Sequence, residues 1–420
     1  MSLAHSTSPS SPHAAPTAPL DQRRRAGWWR APQRLWLRRA IFQVHLWLGV
    51  LLALYSIVIG LSGSILVFRK EIENRLYGKQ LHVQQAARQV SLADAVHRIE
   101  LDRPGWISVG LRDFQSQDHA AMLLMRPTAK PASTDLRYVY FNPFTGQVVL
   151  DHMRYDNLLG WVTNLHYYLL AGRLGLTVSG WMALGLLLLC ISGVVLWWPG
   201  VSRWSAALVL RRRSSWKRIN WDLHSVVGFW SSAALLGVVF TGVYFAFALP
   251  VGGLVVLATG GKIREAMKFV VLPKPLPAKP GTPLLPLDQA VAILNRELAP
   301  APPVEYLQLP ARPTDVYGAV SYFPHTIEYT QMRRVAIDPH NGTVLAVADT
   351  HQMQLGMHII QYFHAVHFGT FGGEGILGIV VRIVWVFVGI TPALLAVTGL
   401  IMYWNRKLRP AWKRLRSSPV

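Results

Sequence analysis

Four uninterrupted apolar runs, about Ile41–Phe68, Leu174–Trp198, Ser225–Leu249 and Ile376–Trp404, govern what this chain can fold into. Each exceeds the ~20 residues that a helix needs to cross the hydrocarbon core of a bilayer. In lipid, a helix lets an apolar segment satisfy its own backbone. Apolar residues make up 51% of the 420-residue chain, as four such runs require. The expected fold class is therefore an α-helical membrane protein built on a four-helix transmembrane bundle. The first run is too long for the apolar region of a cleaved signal peptide and lies behind a long tail.

A net charge of +21 would suit nucleic acid in a soluble protein, but its distribution points elsewhere. Residues 21–40 hold Arg23, Arg24, Arg25, Arg30, Arg34, Arg38 and Arg39. The segment between the second and third runs holds Arg203, Arg211, Arg212, Arg213, Lys217 and Arg218, and the C-terminal end holds Arg406, Lys407, Arg409, Lys413, Arg414 and Arg416. With four spans, these three segments share one side, and the positive-inside rule makes it the cytoplasm. No nucleic-acid motif accompanies them, so membrane lipid is expected as a partner and nucleic acid is not. Cys190 is the single cysteine. That excludes an intramolecular disulfide, a cysteine-ligated iron–sulfur cluster and thioether attachment of haem.

The resulting division is a disordered basic tail over 1–40, a first span over 41–68 and an α+β module over 69–160. A histidine-bearing segment with the second span follows over 161–199, then a basic loop over 200–223 and a third span over 224–249. A second α+β module covers 250–357, a histidine-bearing segment with the fourth span 358–404, and a basic tail 405–420. The two modules resemble each other: "SLADAVHRI" at 91–99 returns as "PLDQAVAIL" at 286–294, and "VYFNPFTGQVVL" at 139–150 returns as "VAIDPHNGTVLA" at 335–346. Each second stretch reads as strand, Asn/Asp-Pro-x-x-Gly turn, strand. The matching offsets imply an internal duplication.

Histidines repeat on the same plan. His45 and His224 each open an apolar run, with Gly49 and Gly228 four residues on, one turn along the same face. Ser62-Gly63 and Thr241-Gly242 follow, and the second and fourth runs end alike, in Ser192-Gly193 and Thr398-Gly399. His166 precedes the second run, and His364 and His367 precede the fourth. Topology then yields one histidine pair at each face of the bundle. Bis-imidazole ligation of b-type haem needs one histidine from each of two facing helices, with small residues and apolar walls beside them. Two levels of two ligands suit zinc or copper poorly. His367 is preferred over His364 because its spacing to Gly399 is closer to that of His166 to Gly193, and because Gly369 follows it. Gly49 and Gly228 are read as leaving room for a flat macrocycle. Arg382 in the fourth run is costly there without a partner, either a haem propionate or a backbone or carboxylate group of the bundle. Glu71, Glu73, Glu305 and Glu328 lie outside the runs without the spacing of paired catalytic carboxylates, and Asp222 is read as a cap at the start of the third span.

"HLWLG", "LHYYLLAGRLG…SGVVLWWP", "DLHSVVGFW…TG" and "VHFGTFGG…TGLIMYW" resemble the four helices of the PepSY-associated transmembrane family, over roughly residues 35–408. The two α+β modules are similar to PepSY modules. The resemblance implies a bacterial inner-membrane protein with periplasmic modules and cytoplasmic termini, similar to siderophore-iron reductases. It implies two b-type haems, one held by His45 and His224 and one by His166 and His367. A ferric siderophore or other ferric chelate would then be the electron acceptor. No nucleotide-binding fingerprint is present, so a separate cytoplasmic protein or quinol is the expected donor. Exposed aromatics, Tyr317, Tyr322, Phe323 and Tyr329, are candidate acceptor contacts, although in a strand-rich module such residues are more often simple sheet residues. A non-catalytic, membrane-anchored binding or regulatory module is the alternative, and a colourless protein would favour it.

Overall fold

The computed structural model describes residues 36–417, apart from 85, 86, 88, 130–133, 211–214, 280, 325 and 328. The reading of residues 1–35 as a tail therefore lies outside the described residues, as do Arg211, Arg212, Arg213 and Glu328. The last five residues of that supposed tail are helical, because α1 (Trp36–Leu66) begins before the apolar run. Arg38 supplies the reason. Its guanidinium donates to the carbonyls of Val195 (3.3 Å), Trp198 (3.1 Å) and Leu196, acceptors that the end of another helix leaves unused.

The chain continues through α2 (Arg69–Leu81), α3 (Leu92–Leu101), β1 (Trp106–Arg112), β2 (Ala121–Pro127), β3 (Arg137–Phe141) and β4 (Val148–Met153). Next come α4 (Leu158–Tyr168), α5 (Gly172–Trp197), α6 (Trp216–Ala246), α7 (Ala248–Ala258), α8 (Ile263–Val270) and α9 (Leu287–Leu298). Strands β5 (Tyr306–Gln308), β6 (Tyr317–Tyr322), β7 (Met332–Ile337) and β8 (Val344–Asp349) lead to α10 (Leu355–Phe368), α11 (Gly375–Tyr403) and α12 (Arg409–Ser417). Helices α2, α7 and α8 are not anticipated by the sequence reading. Asp222 is not a cap either: α6 starts six residues earlier, and Asp222 is a buried residue paired with Arg218 at 2.9 Å.

Four helices, α1, α5, α6 and α11, are long and apolar enough to cross a membrane. Their outward faces carry exposed Leu51, Leu54, Leu188, Ile376 and Leu377. Small residues let the backbones approach closely, the usual device where lipid offers no hydrophobic drive for helix association. A Cβ on Gly60 of α1 would lie 2.6 Å from the carbonyl oxygen of Gly389 in α11. Beside this contact, Ser64 donates to the Val386 carbonyl at 3.1 Å.

The strands form one antiparallel sheet in the order β4-β3-β2-β1-β5-β6-β7-β8. The two outer segments therefore do not stand apart: β1 pairs with β5 through Gly110–Gln308, Leu111–Leu307 and Arg112–Tyr306. Both anticipated turns form as hairpins. The side chain of Asn142 accepts from the Phe144 and Thr145 N–H groups, and that of Asp338 from His340 and Asn341. Gly146 and Gly342 both sit at φ +75°, a region closed to most side chains.

Helices α3 and α9 cover one face of the sheet over a core that includes Leu111, Leu123, Val139, Leu307 and Ile337. Asp288 of α9 accepts from the Leu92 and Ala93 N–H groups at the start of α3, which ties the two helices together. Alternate strand residues turn to the other face, toward α2, α8 and α10. There Tyr77 stacks on His152 at 6.0 Å, Arg334 donates to the Phe269 carbonyl at 2.7 Å, and Tyr329 meets His364 at 4.6 Å. The sheet thus caps one end of the bundle with a polar, aromatic surface.

Candidate functional site

Two short helices carry histidines to the sheet end of the bundle. Helix α4 stops after Tyr168 in a left-handed turn, Leu169 at φ +47° and Leu170 at +60°. Helix α10 stops at Gly369, φ +70°, where a Cβ would lie 2.6 Å from the Trp385 ring. Gly369 therefore serves the turn and the packing of Trp385. These two stops place His166 and His367 side against side, with ring centres 6.2 Å apart. At the opposite end, His45 of α1 and His224 of α6 meet with ring centres 6.5 Å apart. His364 stacks on Phe368 at 4.2 Å and meets Tyr329 edge-on, and it lines the same cavity as His166 and His367.

Each of the four paired rings is held on its Nδ1 side by a hydroxyl. His45 Nδ1 lies 2.8 Å from Ser192 Oγ, His166 Nδ1 3.0 Å from Ser62 Oγ, His224 Nδ1 2.9 Å from Thr398 Oγ1, and His367 Nδ1 3.0 Å from Thr241 Oγ1. The residue after each hydroxyl is a glycine that faces Cε1 of the same ring. A Cβ would reach that carbon at 3.4 Å from Gly193, 2.8 Å from Gly63, 3.5 Å from Gly399 and 3.5 Å from Gly242. Sequence reading singled out these Ser/Thr-Gly pairs as repeats but did not attach them to histidines, since every partner lies on a different helix. The glycines four residues after His45 and His224 behave differently. A Cβ on Gly49 or Gly228 would meet only Leu189 or Leu395, at 3.9 and 3.5 Å, ordinary contact distances.

Two imidazoles facing each other straight across one metal ion, each bound through nitrogen at ~2 Å with its ring centre ~1.1 Å further back, have ring centres ~6.2 Å apart. The observed 6.2 and 6.5 Å match at both levels. A cavity of about 440 Å³ lies against His166 and His367, with Tyr55, Gly63, Gly242 and Trp385 also in its wall. That is the size range of cofactor and ligand pockets. These residues fit a planar group with a central iron. Along α1, Ser62 follows His45 by 17 residues, and along α6, Thr241 follows His224 by 17. At 1.5 Å per residue, the two levels are about 26 Å apart along each helix.

Arg382, expected to need a partner, finds it in the bundle. It pairs with Glu71 of α2 and lies over the Phe68 ring at 5.2 Å. Its Nε also donates to the Gly378 carbonyl at 3.4 Å, a backbone partner within α11.

Tyrosines and arginines gather on the sheet side of the His166–His367 pair, where Tyr329 packs on His364. Tyr322 and Tyr329 meet at 4.9 Å, and Arg112 lies 3.7 Å from Glu305. Burial, then Tyr329 and Glu305, pushes the Tyr322 phenol up to about 12, so it stays neutral at ordinary pH. Burial likewise raises Tyr138 and Tyr306. Nε of Arg112 and of Arg154 is buried and has no hydrogen-bond partner among the described residues. Such groups suit an anionic, oxygen-rich guest. The aromatics read as exposed are not: Tyr317 is a 4% exposed core residue bonded to the Leu285 carbonyl, and Tyr322, Phe323 and Tyr329 are half-buried.

Comparison with known families matches the chain to the PepSY-associated TM region over residues 42–406. No curated protein matches the chain.

Proposed function

The chain belongs to the PepSY-associated transmembrane family, and from that premise we propose that it is a di-haem membrane reductase. It holds one b-type haem between His45 and His224 and a second between His166 and His367. It passes electrons from the cytoplasmic side of a bacterial inner membrane to a ferric siderophore or other ferric chelate in the periplasm. The observation that carries this reading is one ring-to-ring spacing, 6.5 and 6.2 Å, recurring at both ends of the bundle.

Bound haem supplies a one-electron centre at each level. The residues of the chain do the rest. The imidazoles bind the iron, and the apolar walls of the bundle exclude water. The separation of about 26 Å between levels spans most of the ~30 Å hydrocarbon thickness. Arg112, Arg154 and Tyr322, at the sheet end of the bundle, receive the chelate near His166 and His367. Reduction of its Fe(III) to Fe(II) weakens hard-oxygen coordination and frees the metal. The lysines and arginines at the bundle end opposite the sheet support a cytoplasmic position for that end. The palindromic strand order and the repeated histidine-to-hydroxyl spacing support an internal duplication of a PepSY-like unit. A separate cytoplasmic protein or quinol is the electron donor.

The test is a pair of variants, His45→Ala and His367→Ala, purified and assayed for haem. Each is expected to lose one of two haems and keep the other. Two full haems in both variants would remove the reading. A wild-type protein without haem would leave a membrane-anchored binding module.

A further inference from the structure

The four hydroxyls do more than fill space beside the rings. A serine or threonine hydroxyl has one proton to donate. Here the helix carrying it takes that proton: Ser62 Oγ donates to the Val58 carbonyl at 2.7 Å, Ser192 Oγ to Leu189 at 3.1 Å, Thr241 Oγ1 to Gly237 at 2.9 Å and Thr398 Oγ1 to Leu394 at 2.8 Å. What each oxygen then offers its imidazole is a lone pair, and only an N–H completes that bond. His367 adds an independent constraint. Its Nδ1 also lies 3.0 Å from the Val238 carbonyl oxygen, which can only accept.

We infer that Ser62, Ser192, Thr241 and Thr398 are positioning residues that fix each histidine as the neutral Nδ1–H tautomer. Nε2 is then a bare lone pair, ready to bind iron before any haem arrives. The inference rests on the di-haem reading and adds to it the groups that select the ligating nitrogen. The arrangement crosses the two halves of the chain. Each hydroxyl comes from the same half as its histidine, α1 with α4 and α5, or α6 with α10 and α11. Each histidine pair joins one half to the other. A hydrogen-bonded partner on the second ring nitrogen typically changes metal affinity 10–100-fold when removed.

The experiment uses full-length protein with ¹⁵N-labelled histidine, freed of haem and then titrated with haemin. The apo spectra should show Nδ1–H, Nε2-bare signals for the four histidines. Ser62→Ala should disturb that of His166. Thr241→Val leaves the Val238 carbonyl to accept from His367, and should move that of His367 less. Ser62→Ala should bind the haem at the His166–His367 level about 10–100-fold more weakly and shift its midpoint potential. Thr241→Val should do both to a smaller extent, and the other level should stay unchanged. Ser62→Thr and Thr241→Ser, which restore the hydroxyl, should recover the wild-type values. Wild-type protein that binds two haems, with tautomers, affinity and potential unmoved in Ser62→Ala and Thr241→Val, would overturn the inference alone. Wild-type protein that binds no haem would overturn the reading beneath it.

Discussion

Glycine 63 and glycine 242 occupy matching places and tolerate different things. A methyl on Gly63 would reach the His166 ring at 2.8 Å, closer than real contacts allow, whereas one on Gly242 would stop at 3.5 Å from His367. Gly63→Ala must push the His166 ring, and Gly242→Ala need move nothing. The expected outcome is at least a tenfold loss of haem affinity at that level for Gly63→Ala and a change of less than about twofold for Gly242→Ala, read by haemin titration. The histidines themselves were legible in the sequence, because a polar ring recurring at the mouth of an apolar run has few neighbours to confuse it. Their hydroxyl partners were not. Ser192 is 147 residues from His45, and only packing decides which hydroxyl meets which ring. Gly49 and Gly228 illustrate the converse: helical periodicity put them on the histidine face, but the space they leave abuts Leu189 and Leu395.

Helices and strands carry their own predictions. Ser91 caps α3 by accepting from the Asp94 N–H at 3.0 Å. Ser91→Ala should therefore cost the sheet domain about 1 kcal/mol, read as a lower melting temperature with haem content unchanged. Asp151 on β4 ties β3 to the end of α3 through Arg137 and Arg103. Burial works against its carboxylate, but hydrogen bonds from these two arginines outweigh that and hold it below the usual aspartate value of about 3.9. The stability it contributes is thus complete above that value and lost as pH falls through the lower folded-state value. Melting temperature should hold steady from neutral pH to about 5 and drop below about 4, and Asp151→Asn should reduce that slope. At this scale the four spans and both hairpin turns could be read directly, since apolar length and the Pro-x-x-Gly turns are local signals. Helices α2, α7 and α8 could not. The apolar α7 continues the third run in composition, and only the break at Phe247 and its packing on Met357 and Ile360 separate it.

The whole molecule depends on two junctions between its halves. In the sheet, three residue pairs join β1 to β5, a contact between strands almost two hundred residues apart that no local pattern announces. In the bundle, Gly60 and Gly389 bring α1 against α11 at backbone contact. Gly60→Leu should force these helices apart and, because each histidine pair takes one ring from each half, should lower haem content at both levels together. A loss confined to one level would mean that the halves hold their sites independently. The central claim is that the paired rings bind iron, and an absorption spectrum of detergent-purified protein, oxidised and then dithionite-reduced, with a pyridine haemochrome count, tests it most directly. The account predicts a sharp Soret band and about two b-type haems per chain. A colourless protein from haem-replete cells would contradict it.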